Sequence, residues 1–157
     1  MKNNDIYLDD AIDVIEEVLA SGGEFKMYPR GISMLPLIRQ GVDSVVLVKE
    51  DGSTLKKHDI AFYKRDSGQF VLHRVMSCDA DGTYTMCGDN QLYLEPGIRA
   101  DQIIARLTKL YKKERLVRFD SVKHKLYLSV WCCMPIRRFL RLPQRAWGRI
   151  KRICKKS

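Results

Sequence analysis

Between residues 24 and 111 the chain carries six short runs rich in Val, Ile, Phe and Tyr, at 24–29, 43–49, 59–64, 69–77, 83–87 and 102–111. No helix-length segment separates them, which argues against βαβ units, because those need a crossover of a dozen or more residues. Asp51-Gly52, Asp66-Ser67-Gly68 and Asp81-Gly82 supply turn or hairpin signals between runs. The pattern predicts a mainly β domain of compact, coiled sheets.

The flanks read differently. Leu8, Ala11, Ile12, Ile15, Val18 and Leu19 recur at spacings of three and four, with Asp9, Asp10, Asp13, Glu16 and Glu17 between them. This is an amphipathic helix with an acidic outer face, ended by Ser21-Gly22-Gly23, and it is expected to cover one side of a sheet. The net charge of +9 is unevenly placed: 13 of the 28 basic residues and one of the 19 acidic ones lie in 115–157. That segment therefore carries +12 and the preceding 114 residues carry −3. Composition thus divides the chain into an N-terminal helix (1–23), a β domain (24–114) and a basic tail (115–157).

Five cysteines, Cys78, Cys87, Cys132, Cys133 and Cys154, form an odd set without Cys-x-x-Cys spacing or neighbouring histidines. Neither a disulfide framework nor a zinc site is expected, and a reducing, cytoplasmic setting fits best. The first twenty residues are acidic where a secretory leader would be apolar, and no run of eighteen apolar residues occurs.

Three stretches carry candidate chemistry. RGISMLPLI places one hydroxyl, Ser33, in a Gly-x-Ser turn followed by Pro36; QFVLHRV places His73 in an otherwise apolar strand; CGDN exposes Asp89 on a turn after a strand, with Glu95 six residues on. A serine hydroxyl is a poor nucleophile near neutral pH until a base takes its proton. Neutral histidine, with an ordinary pKa of about 6.5, can be that base. A carboxylate on the other ring nitrogen would hold its tautomer. His58, after Lys56-Lys57, reads as a solvated loop residue, and His124 lies among basic residues; neither is a better base.

In this order and spacing, GISMLP, GVDSVVLV, HDIAFY, VLHRV, CGDNQLYLEP and DQIIARL resemble the boxes of the type I signal peptidase and LexA-like serine peptidase superfamily, from about Phe25 to Leu110. The histidine at the base position is similar to the archaeal, endospore-former and endoplasmic-reticulum branch, since bacterial leader peptidases and LexA carry lysine there. The resemblance implies a signal-peptidase/LexA-like complex β fold, Ser33 as nucleophile, His73 as general base, and Asp89 or Glu95 as the acid that orients the imidazole. It also implies cleavage of an extended precursor or leader segment beside small side chains, with no metal or cofactor. One departure concerns the oxyanion: signal peptidases often carry a serine two positions before the nucleophile, and here that residue is Gly31.

From Ile136 onward, Ile136, Phe139, Leu140, Leu142, Trp147, Ile150 and Ile153 fall on one helical face, and nine Arg and Lys residues fall on the other, with Pro143 interrupting. Such a C-terminal basic helix is expected to lie on an anionic membrane surface, which would make the protein peripheral. Each Lys or Arg close to that surface would contribute about 1 kcal/mol. Packing against the domain and binding of nucleic acid are the competing readings, the last the least expected. The expected function is a signal-peptidase-like serine endopeptidase. The alternatives are a LexA or repressor-like self-cleaving regulator, for which the 23 residues before the domain hold too little for a helix-turn-helix module, and a catalytically idle binding module of the same fold.

Overall fold

A computed structural model gives the structure of the chain and describes residues 8–138, with side chains from residue 12 onward. The element order is α1 (Leu8–Ala20), β1 (Phe25–Met27), β2 (Asp43–Lys49), β3 (Ile60–Lys64), β4 (Phe70–Cys78), β5 (Tyr84–Cys87), β6 (Glu95–Ile98), β7 (Ile103–Lys112), β8 (Arg115–Leu116) and α2 (Val122–Trp131). The protein is mainly antiparallel β, with one helix before the sheet and helical turns after it. It separates into two compact units, residues 1–117 and 118–157. The division falls three residues beyond the change in charge at 114/115.

All eight strands join one sheet in the order β1-β2-β7-β3-β4-β5-β6, with β8 paired to β7. Each of the six β-prone runs forms a strand. The residues between β1 and β2, and between β2 and β3, are irregular, which is why an antiparallel sheet forms: no helix is available to carry a parallel crossover. The long β7 sits between β2 and β3, pairing Val45 with Leu110 and Phe62 with Ala105. A chain-distant strand thus closes the middle of the sheet.

Two strands and a helix lie outside the sequence expectation. Glu95-Pro96-Gly97-Ile98 forms β6 although proline lacks a ladder donor and glycine weakens strands. The position permits it, since β6 ends the sheet and pairs only with β5. β8 is a two-residue return paired with the end of β7. Helix α2 forms in the basic region, started by Ser121, whose hydroxyl accepts the His124 N–H at 3.3 Å. His124, Tyr127 and Trp131 stack along it with centroid separations of 6.0 and 6.3 Å, and Phe119, just before the helix, meets His124 in a tilted contact at 4.8 Å. Residues 134–138 are helical as well. Most of the basic helix expected from Ile136 onward, including Phe139 to Ile153, lies outside the described residues. Among the described residues no helix is long and apolar enough to cross a membrane, and the four described cysteines are free thiols.

Alternation on the strands places Ala61, Tyr63, Val71, Val75, Tyr84 and Met86 in one buried cluster with Leu55, Ile98 and Ile103. Helix α1 packs on β1 and β2, with Ile15 and Leu19 buried and Val14 exposed. Its end is closed by the Gly23 N–H on the Val18 carbonyl at 3.0 Å. Ile15→Ala should therefore lower unfolding free energy by about 2–5 kcal/mol, whereas Val14→Ala should change it by less than about 0.5 kcal/mol, as read by urea denaturation.

Candidate active site

Ser33 lies in the turn segment between β1 and β2, half-buried, while Met34, Leu37 and Ile38 beside it are buried and Ile32 is exposed. Burial of those three apolar side chains anchors the segment. The Ile38 N–H bonds the Met34 carbonyl at 2.9 Å, and the Leu35–Pro36 peptide is cis. Its exit is clamped by Arg39, whose backbone N–H, Nε and Nη2 all donate to the buried Asp43 carboxylate. These bonds hold Asp43 below the usual carboxylate range despite its burial.

A second tie reaches Ser33 from the other end of the sheet. The Asn90 N–H donates to the Ser33 carbonyl at 2.6 Å. Gly88 lies so close that a Cβ on it would come within 2.7 Å of that carbonyl oxygen. The CGDN turn is therefore built against the backbone of Ser33, and glycine is required for that approach.

His73 occupies β4, paired with Ala61 of β3, between Val71 and Val75 on the core-facing side. It is almost completely buried. Arg74 pairs with Cys87, the residue before Gly88, so β4 runs beside the strand that leads into the CGDN turn. Among the described residues no side-chain hydrogen bond joins Ser33 to His73.

The ring's Nδ1 lies 3.2 Å from the Tyr63 hydroxyl and 3.8 Å from Glu95 Oε2. Tyr63 donates to Glu95 Oε2 at 3.0 Å. Arg65 grips the same carboxylate with two bonds, Nε to Oε1 at 2.6 Å and Nη2 to Oε2 at 2.5 Å. Burial works against ionisation of Glu95, but the Arg65 and Tyr63 hydrogen bonds outweigh it and leave its pKa below the ordinary value. Burial, together with the Arg65 charge, pushes His73 down to about 4, against the opposing pull of Glu95 and Asp89. The imidazole is therefore neutral near pH 7.

Asp89 has a different principal partner. Both its oxygens accept from Arg74, Nε at 2.8 Å and Nη2 at 2.7 Å, and both side chains are buried. Arg74 Nη1 also donates to the His58 carbonyl at 2.8 Å. Of the two acids that the sequence left open, Glu95 is the one within 4 Å of the His73 ring, and Asp89 forms a buried ion pair beside the Ser33 turn. His58, expected as a solvated loop residue, is instead half-buried, with its N–H on the Val75 carbonyl and its φ at 79°. His124 stacks on Tyr127 and meets Phe119 in a tilted contact.

Tyr63, Arg65 and Arg74 were not singled out from the sequence. Tyr63 lies within the run 59–64, and Arg74 directly follows His73 in QFVLHRV. The signal that could have found Tyr63 is alternation: it shares the face of Ala61, which pairs with His73.

No protein-family model, curated protein or solved structure matches this chain.

Two consequences are measurable. Removing one member of the buried pair, by Arg74→Met or Asp89→Leu, should lower stability by about 3–5 kcal/mol, and the double substitution should cost no more than the worse single one, as read by urea denaturation. The depressed pKa of His73 has a definite sign: between its ordinary value of 6.5 and about 4 the unfolded chain binds the extra proton. Stability should be full above about pH 6.5 and fall by about 3 kcal/mol as pH drops toward 4. His73→Asn should flatten that slope in urea titrations, leaving the contribution of His58, which burial also holds below its ordinary value.

Proposed function

We propose that the 1–117 unit is a serine endopeptidase of the signal-peptidase kind, with a histidine base and the complex β fold of that superfamily. One observation carries most of the weight: a buried, neutral His73 directs Nδ1 toward the Tyr63–Glu95 pair, in the strand beside a glycine turn that holds the Ser33 backbone. This supports a base with an acid behind it, the arrangement of serine-hydrolase triads, with a phenol oxygen between the two.

In this reading His73 Nε2 takes the Ser33 proton as Oγ bonds to the scissile carbonyl carbon. The tetrahedral intermediate collapses, the C–N bond breaks, and His73 gives its proton to the leaving amine. Water, deprotonated by the same imidazole, then releases the acyl group and restores Ser33. The Ser33 N–H is the expected oxyanion donor. Gly31 has a φ of +88°, a conformation that penalises any L side chain, so the serine usual in signal peptidases would be strained there. The hole accordingly rests on backbone donors.

The substrate is an extended peptide segment of a precursor or leader, pairing as an added strand. β1, which leads into the Ser33 segment, ends the sheet and offers an edge for it.

The test is labelling by an alkyl fluorophosphonate, located by mass spectrometry. Ser33 should be modified in the wild type, and His73→Ala should slow labelling by about 100-fold or more. Labelling that persists in His73→Ala, or that falls on another serine, would end this reading. Intact mass after long incubation separates the repressor-like alternative, which would show the chain cut by itself.

A further inference from the structure

We infer that Tyr63 is a positioning residue that fixes the tautomer of His73, passing the orientation of Glu95 to the imidazole through its phenol oxygen. The inference deepens the peptidase reading and rests on it for its functional meaning.

The argument is one of hydrogen-bond direction. An ionised carboxylate can only accept. Glu95 is held in that state by the paired arginine bonds on its two oxygens, so the partner at 3.0 Å must be a donor. Tyr63 has a single hydroxyl proton, and burial with the Glu95 charge nearby keeps it on the oxygen. Spent on Glu95, that proton is not available to His73. The phenol oxygen then faces Nδ1 at 3.2 Å only as an acceptor, so Nδ1 must carry the imidazole hydrogen.

The consequence falls on the other nitrogen. With hydrogen on Nδ1, Nε2 keeps its lone pair, and this is the tautomer that can take a proton from a serine. In the familiar triad the carboxylate contacts the histidine itself. Here Glu95 Oε2 stands 3.8 Å from Nδ1, too far for a direct hydrogen bond, and the phenol bridges the gap. Sheet geometry makes the bridge: His73 pairs with Ala61, Tyr63 is two residues along the same face, and Glu95 pairs with Met86 across β5. Arg65 has no contact with the ring in this scheme, and its role is to hold the carboxylate.

Tautomers can be read in the substrate-free protein by long-range proton–nitrogen correlation with labelled histidine, His73 being assigned by the loss of its signals in His73→Asn. The wild type should show Nδ1–H. Tyr63→Phe should shift the ring toward Nε2–H, the form favoured by imidazole in water. Glu95→Gln should do so with Tyr63 intact, because the new amide can donate to the phenol oxygen and release the phenol proton to Nδ1. Ser33 labelling should slow about 10- to 100-fold in Tyr63→Phe. A wild-type ring in the Nε2–H form, or a tautomer unmoved by Tyr63→Phe, would overturn the proposal. If Tyr63→Phe does not fold, an unmoved tautomer in Glu95→Gln overturns it equally. The two readings fail separately. A responsive tautomer with Ser33 never labelled would end the peptidase reading and leave the relay in place. A labelled Ser33 with an unresponsive tautomer would do the reverse.

Discussion

The Arg74–Asp89 ion pair is the interaction on which the candidate site depends. Two charges removed from water lose several kcal/mol each in hydration, so such a pair persists only with near-ideal geometry and with its remaining donors satisfied. Both conditions hold here. The guanidinium meets the carboxylate through two parallel bonds, and its third nitrogen reaches the His58 carbonyl. The pair thereby joins β4 to the turn after β5 and to the loop before β3. That turn in turn carries Asn90 and Gly88 against the Ser33 carbonyl. The placement of a half-buried serine between β1 and β2 is thus fixed from the far side of the sheet.

A second pair, Arg65–Glu95, has a different task. Its members remain partly exposed, so each is hydrated and the pair itself adds little to stability. What it does is electrostatic and directional. It keeps an ionised carboxylate near His73 while its own positive charge opposes protonation of the ring. Neighbouring strand residues project to opposite faces, and so Arg74 and His73 serve different environments. One anchors a buried ion pair, and the other faces Tyr63 in the core cluster.

Much of this was legible in the sequence, for stated physical reasons. Period-two alternation and Asp-Gly turns announce strands that are half-buried and locally connected, which is why all six runs form strands. Pro96-Gly97 hid β6, because an edge strand tolerates residues that a central strand rejects and only the sheet order reveals the edge. Helix α2 hid among β-branched and aromatic residues, where its Ser121 cap and its row of stacked rings outweigh propensity. Ser33, His73, Asp89 and Glu95 could be named from spacing and resemblance. How the acids divide their partners could not, since the choice depends on which strand face each arginine reaches. Tyr63 is the clearest case. A tyrosine on a core face reads as packing, and its hydroxyl acquires meaning only when His73 and Glu95 converge on it.

The low pKa of His73 has two opposing effects on the chemistry proposed. A base that is fully deprotonated at neutral pH is always ready, yet a base with a pKa near 4 pulls weakly on a serine proton. The enclosure that makes the ring neutral would therefore slow the step for which it is neutral, unless proton transfer is accompanied by stabilisation of the imidazolium. Glu95 is placed for that. Its charge lies 3.8 Å from Nδ1 across a low-dielectric boundary, and the phenol between them can strengthen its acceptance from Nδ1–H as the ring becomes positive. Substrate bound along the edge of the sheet would exclude water and strengthen both contributions. The pull of Glu95 is already contained in the resting pKa of His73, so any further gain would come from substrate that excludes water and strengthens the Nδ1–H to Tyr63 to Glu95 chain. In the proposed reaction a ring so reluctant to charge would serve as a base only with that added stabilisation of its imidazolium by the anchored carboxylate.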